Sequence, residues 1–208
     1  MTATRPVATG LLVDMDGVLR RWDPQVLLSV EERHGLPAGT LWRTAFAPSR
    51  LVPAISGRAS HADWMDGVAE AIGEPAAVAE WEGYRGEVDP DVLGFVREVR
   101  AAGIRVGLAT NATDRLDADL VALGLTDELD VVVNSSVVGF TKPAASYFAA
   151  ACAQLGVPPR QCLFVDDSER YILGARAAGL SAYRWTGPDD LPYLRAALGL
   201  TTASPPPR

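Results

Sequence analysis

Residues 10–17 read Gly10-Leu11-Leu12-Val13-Asp14-Met15-Asp16-Gly17. The apolar run is unbroken, too short for a helix and without the polar alternation of a half-exposed strand. That is the pattern of a strand covered on both faces. It ends abruptly on an acid, a spacer, a second acid and a glycine. Similar short apolar runs fall at 104–109, 130–133, 161–165 and 180–184. Two more of them end on polar groups: 104–109 runs into Thr110-Asn111, and 161–165 into Asp166-Asp167-Ser168.

Helical patterns separate the later runs. Asp89-Pro90 supplies an N-cap residue and a proline at the first helical position, and that helix stops at Gly103. A second helix spans 113–123, a third opens at Lys142-Pro143 and stops at Gly156, a fourth spans 168–178 and a fifth spans 188–198. Strand–helix alternation of this kind predicts an α/β fold: a doubly wound, Rossmann-like parallel sheet with helices on both faces. The interval after the first strand differs. Asp23-Pro24 opens a helix ending at Gly35, Ser60 and Asp63 suggest a capping box for one ending near Gly73, and shorter helices fit 40–45 and 75–84. The expected division is therefore an α/β core of residues 1–19 and 87–200, a helical cap domain of residues 20–86, and a disordered tail at 201–208.

In an open parallel sheet the carboxyl ends of the strands share one edge, where ligands bind. Asp14, Asp16, Thr110, Asn111, Asp166 and Asp167 should converge there, with Lys142 on the same edge. Crowded carboxylates repel one another, and a hard cation resolves the repulsion. Mg2+ takes oxygen ligands and keeps positions for water and a phosphate. Lys142 and Thr110 offer the charge and the hydrogen bond that a phosphoryl group needs.

These residues resemble the haloacid dehalogenase superfamily. Asp14-Met15-Asp16-Gly17-Val18 is similar to its first motif, Leu108-Ala109-Thr110-Asn111 to its second, Lys142-Pro143 to its third, and Val165-Asp166-Asp167-Ser168 to its fourth. The resemblance implies a Mg2+-dependent phosphohydrolase that cleaves a small organic phosphate monoester, a sugar phosphate being one candidate. Asp14 would be the covalent nucleophile and Asp16 the general acid and base. The metal would bind Asp14, the Asp16 carbonyl and Asp167, with Asp166 acting through a bound water. Thr110, the Asn111 amide and Lys142 would hold the phosphate. A phosphomutase shares this machinery. A binding protein on a disabled scaffold would have lost some of these acids, and a 2-haloacid dehalogenase would lack an acid at position 16. One departure stands out: Tyr171 occupies a place where relatives carry Asn or Asp.

Composition agrees with a globular domain, at 48% hydrophobic and 22% charged residues with a net charge of −7. An acidic chain without a Lys/Arg run argues against a nucleic-acid surface. No apolar run reaches the ~20 residues that span a bilayer, so the expectation is a cytoplasmic protein, monomeric or a weak homodimer, with no membrane partner. Cys152 and Cys162 read as buried thiols. His34 and His61 read as structural or solvent-facing, and two lone histidines do not make a zinc site. Arg20, Arg50 and Arg58 are candidates to meet a polar substrate, although a solvated face suits each. Serine-hydrolase elbows and nucleotide P-loops are absent.

Overall fold

The computed structural model describes residues 8–200, so the expectation of a disordered tail lies outside the described residues. A five-stranded, all-parallel sheet runs in the order β5 (Val131–Asn134), β4 (Arg105–Thr110), β1 (Gly10–Val13), β6 (Cys162–Asp166), β7 (Ser181–Arg184). The quoted stretch is thus the central strand. Its register sets Val13 beside Leu108 and Val165, so three chains reach the same edge together.

Side-chain alternation sorts the core onto two faces. Leu11 and Val13 pack with Val106, Leu108 and Val165 against α6 (Pro90–Ala101), α7 (Leu116–Ala122) and α11 (Leu191–Ala197). Leu12, Ala109 and Phe164 point the other way, onto α9 (Ala145–Leu155) and α10 (Glu169–Ala177). Both faces are dry, which is why the strands carry no polar alternation. Cys152 and Cys162 are free and buried in the second layer.

Between β1 and α6 the chain leaves the sheet through β2 (Arg20–Arg21) and returns through β3 (Glu87–Val88), which pair antiparallel. This ribbon is too short to show as a strand pattern. The excursion holds α1 (Pro24–Arg33), α2 (Thr40–Ala45), α3 (Pro48–Ile55), α4 (His61–Ile72) and α5 (Pro75–Gly83). They bury a cluster of their own, with Val30, Leu41, Met65, Val68 and Val78 at its centre. Ser60 and Asp63 do form a reciprocal capping box.

Several boundaries differ from expectation. α3 went unread because Pro48 and Pro53 look like breakers. Pro48 sits in the first turn, where a proline has no bond to lose. α8 (Ser135–Val138) is too short to show a period and is capped by the Asn134 side chain. α9 begins at Ala145 rather than at Lys142-Pro143, because the Lys142 backbone is held by Asn111 instead of entering a helix. The last helix is split into a 3-10 turn over Pro188–Asp190 and α11.

Asp89 joins the insertion to the sheet. Its carboxylate accepts from the Asp91 and Val92 amides at 2.9 and 3.2 Å and pairs with Arg21 at 3.4 Å. Losing such a cap costs about 1–2 kcal/mol. Asp89→Ala is expected to lower unfolding stability by that amount in urea titration.

Candidate functional site

The carboxyl edge of the sheet gathers the residues expected there. Asp14 leaves the end of β1 and is buried, its amide donating to Val165 O at 2.9 Å. Met15 turns into the core below the sheet, which sends Asp14 and Asp16 to the other side. Asp166 closes β6 with no exposed surface, and its Oδ1 accepts from the Ser168 amide at 2.8 Å. Asp167 is exposed at the rim. Carboxylate oxygens of Asp14, Asp166 and Asp167 all lie within 4.8 Å of one another.

One cation answers these acids. Lys142 Nζ hydrogen-bonds Asp166 Oδ2 at 2.6 Å and meets Asp14 Oδ1 as an ion pair at 2.8 Å. Lys142 is buried and lies over the rings of Phe164 and Tyr171. Burial pulls its pKa down, but the two carboxylates outweigh burial and hold it above the usual lysine value. Asp14 moves the other way. Burial, with the charges of Asp166 and Asp16, overrides the help of Lys142 and raises its carboxyl from 3.8 to about 7. Burial and Asp166 also raise Asp167. Three acids around one ammonium leave the cluster short of positive charge. An all-oxygen set of this kind suits a hard divalent cation.

Gly17 lets the two acidic loops meet. Its φ is +84°, and a Cβ placed there would fall 2.2 Å from Asp167 Oδ2. Gly174 does the same for the lysine loop, since a Cβ would fall 2.5 Å from Pro143 Cβ.

Thr110 ends β4 and is buried at this edge, its carbonyl accepting from Tyr147 Oη at 3.3 Å. Asn111 is otherwise engaged than expected. Its Oδ1 accepts from the Lys142 amide at 2.8 Å, while its Nδ2 donates to Lys142 O at 3.2 Å and to Tyr171 Oη at 3.3 Å. Both amide hydrogens are thereby committed, so the side chain positions Lys142, and only the backbone N–H of Asn111 fits the phosphate-binding expectation. Tyr171 is part of this clamp, which accounts for a tyrosine at a position where Asn or Asp was anticipated.

The Asp16 carboxylate stands apart from the other three. Its Oδ1 accepts from Arg20 Nε and from the Trp22 indole, both at 2.7 Å, and its side chain is 44% exposed. Arg20 is buried rather than on a solvated face, reaching Asp119 Oδ2 at 3.1 Å. Asp119 also meets Arg85 and Arg115 at 3.3 Å each, and Arg115 reaches Glu82 at 3.2 Å. His61, expected to be structural or in solvent, is buried between Thr113 and Glu82 at 3.1 and 2.9 Å. Burial, then Arg115, lowers its pKa. Asp119, Arg115, Glu82 and Arg85 had no motif to mark them. Arg50 and Arg58 do not line the cavity above the edge, whereas Arg20 does.

That cavity measures about 500 Å³ and lies between the sheet edge and the helical excursion, with Asp16, Gly17, Asn111 and Asp167 in its wall. An acid-lined pocket at the carboxyl end of the central strand, under a helical excursion from that strand, is where an open α/β fold binds its ligand. The chain belongs to the haloacid dehalogenase-like hydrolases, whose family model matches residues 9–179. It is 30% identical over 181 residues to a phosphoglycolate phosphatase of Xanthomonas campestris, covering 82% of this chain and 79% of that protein. It is 38% identical over 96 residues to the phosphatase MT3486 of Mycobacterium tuberculosis, covering 45% of this chain and 44% of that protein. The chain thus spans about half the length of some of the curated relatives it matches. In fold it resembles a haloacid dehalogenase family enzyme of Bacteroides thetaiotaomicron, with a TM-score of 0.76 at 20% identity over 91% of this chain and 98% of the other. That enzyme has also been solved in complex with magnesium and inorganic phosphate. No helix among the described residues is long and apolar enough to cross a membrane.

The raised Asp14 pKa has a signed consequence. Without metal the folded protein keeps a proton that the unfolded chain releases near pH 4. This group's contribution is therefore fully present below pH 4 and is lost as pH rises through about 7. In chelator, Tm is expected to fall between pH 5 and 8 by several degrees, at about 2–4 °C per kcal/mol. Asp14→Asn is expected to flatten that fall and to be the more stable protein at pH 8. Differential scanning fluorimetry across pH checks both.

Proposed function

We propose that this protein hydrolyses small organic phosphate monoesters with Mg2+ and an aspartyl-phosphate intermediate. The observation that carries the proposal is the group of Asp14, Asp166 and Asp167, with oxygens within 4.8 Å of one another, sharing the single ammonium of Lys142. The phosphatases among its relatives and the magnesium and phosphate held by the Bacteroides enzyme support this reading.

The residues fit the metal. Asp14, Asp167 and the Asp16 carbonyl would hold it, with Asp166 behind, and a raised Asp14 pKa is what a divalent cation would reverse. Bound there, Mg2+ supplies positive charge to the carboxylates and to the phosphate oxygens. Every other role falls to side chains. Asp14, which Lys142 and the bound cation together would keep ionised, attacks phosphorus to form an oxygen–phosphorus bond. The bond from phosphorus to the ester oxygen breaks, and Asp16 gives its proton to the departing alkoxide. Water then attacks phosphorus, Asp16 takes the water's proton, and the Asp14–phosphorus bond breaks to release orthophosphate. Both donors to Asp16 converge on Oδ1, which leaves Oδ2 to carry the moving proton. Lys142, Thr110 and the backbone N–H of Asn111 would hold the phosphate. Residues 20–86 would act as the cap that excludes bulk water over a core of 1–19 and 87–200.

With Mg2+, phosphate release from p-nitrophenyl phosphate is expected, and chelation should abolish it. Asp14→Asn should lose at least ~10³-fold in kcat, or about 4 kcal/mol of barrier. With an alkyl phosphate, Asp16→Asn should lose a comparable factor, because the first half-reaction needs its proton and the second needs it to accept one from water. Hydrolysis surviving in Asp14→Asn would overturn the nucleophile assignment.

A further inference from the structure

The cavity above the sheet edge is lined by an unusual share of the chain's aromatic residues. Four of the five tryptophans in the sequence face it: Trp22, Trp42, Trp64 and Trp81. Phe46 and Tyr84 join them. The rings form two groups. Trp42 stacks on Phe46 at 3.8 Å between centroids, Phe46 meets Trp64 edge-on at 6.0 Å and Trp81 at 6.4 Å, and Trp22 meets Tyr84 at 5.5 Å. These side chains are not simply the core of the insertion. That core is built from smaller aliphatic groups such as Val30, Leu41 and Val68, with Phe46, Trp64 and Trp81 only packed against it. Trp42 remains 55% exposed and Trp22 38% exposed, large areas of ring to leave in water without a use.

The charges in the same wall point in the same direction. Asp16, Asp23, Glu82, Asp119 and Asp167 are acids, whereas Arg20 and Arg115 are the guanidiniums. Neither guanidinium waits for a ligand. Arg20 is held by Asp16 and Asp119, and Arg115 by Glu82 and Asp119. A leaving group bearing its own carboxylate, such as glycolate or serine, would meet acids and find its cationic partners already paired. A sugar's hydroxyls would meet polar groups largely paired with one another and, opposite them, rings that offer no hydrogen bond. A flat apolar group would bury its faces on the rings, and about 500 Å³ holds a bicyclic one.

Resting on the phosphohydrolase reading above, we infer that the preferred substrates are monoesters whose alcohol carries an uncharged aromatic ring. The ring lies on the Trp42, Phe46 and Trp81 surface while the phosphate meets Asp14. Trp42 and Trp81 are the specificity-determining residues, and they act on the leaving group alone.

The test compares alkyl monoesters of similar leaving-group reactivity, so that chemistry does not mask binding. 2-Naphthylmethyl phosphate is expected to show a kcat/KM at least tenfold above those of phosphoglycolate and glucose 6-phosphate. Trp42→Ala, at an exposed position the fold tolerates, should shrink that ratio at least fivefold, chiefly through KM. A higher kcat/KM for phosphoglycolate or the sugar phosphate, with activity intact, overturns this inference and leaves the phosphohydrolase reading standing. If no ester is hydrolysed, that reading fails, and ligand binding still decides the present one. 2-Naphthylmethylphosphonate should bind at least tenfold more tightly than phosphonoacetate in a tryptophan-fluorescence titration. Equal or weaker binding contradicts the inference.

Discussion

The ammonium of Lys142, buried 2.8 Å from Asp14 and 2.6 Å from Asp166, is the interaction on which the edge depends. Taking one cation and two carboxylates out of water costs several kcal/mol per ion, and attraction at this range only partly offsets it. The fold accepts that cost because the surroundings hold the partners in place. β1 and β6 are adjacent and in register, so Asp14 and Asp166 leave the sheet side by side. Asn111 grips the lysine's backbone at both ends, and Tyr171 and Phe164 lie under its head. These constraints come from β1, β6, α10 and the loop after β4. The cluster therefore exists only in the folded chain, and it carries an excess of negative charge that the protein alone does not neutralise.

A second network, across the cavity, ties the helical excursion to the sheet domain. Glu82 on the excursion reaches Arg115 and His61, and Arg115 reaches Asp119, which also holds Arg20 at the root of the ribbon. Asp16 stands where the two networks touch, fixed by Arg20 and Trp22. The helical excursion is thus tied to the sheet domain by ion pairs, and also by hydrogen bonds from Ser135 Oγ to Ile55 O and from the His61 amide to Asp114. Ion pairs of this kind orient groups more reliably than they stabilise a fold.

The sheet was legible because continuous apolar runs ending in acids have few other readings. The five strands lie within a residue or so of the expected spans, and Asp14, Asp166, Asp167 and Lys142 meet at one edge with Thr110 and Asn111 beside them, while the Asp16 carboxylate turns to Arg20 and Trp22. Three kinds of feature were not legible. α3 was hidden by Pro48, which its first turn tolerates, and by Pro53, which lies inside it. Asn111 and Tyr171 were hidden because a side chain's partner depends on tertiary contacts thirty or more positions away, here with |i−j| of 31 and 60. The aromatic lining of the cavity left no distinct trace, since ring-rich helices look alike whether the rings face inward or line a pocket. A surplus of tryptophan over what so small a helical cluster can bury was the one available signal.

The central claim is that Asp14, Asp166 and Asp167 form one site for a divalent cation around a carboxyl with a pKa of about 7. Calorimetric titration of Mg2+ at pH 6.5, repeated in buffers of different ionisation enthalpy, counts the protons released on binding. The account predicts binding with a release approaching one proton, falling toward zero at pH 8.5 and abolished in Asp14→Asn. Binding without proton release at pH 6.5, or no binding at all, would contradict it.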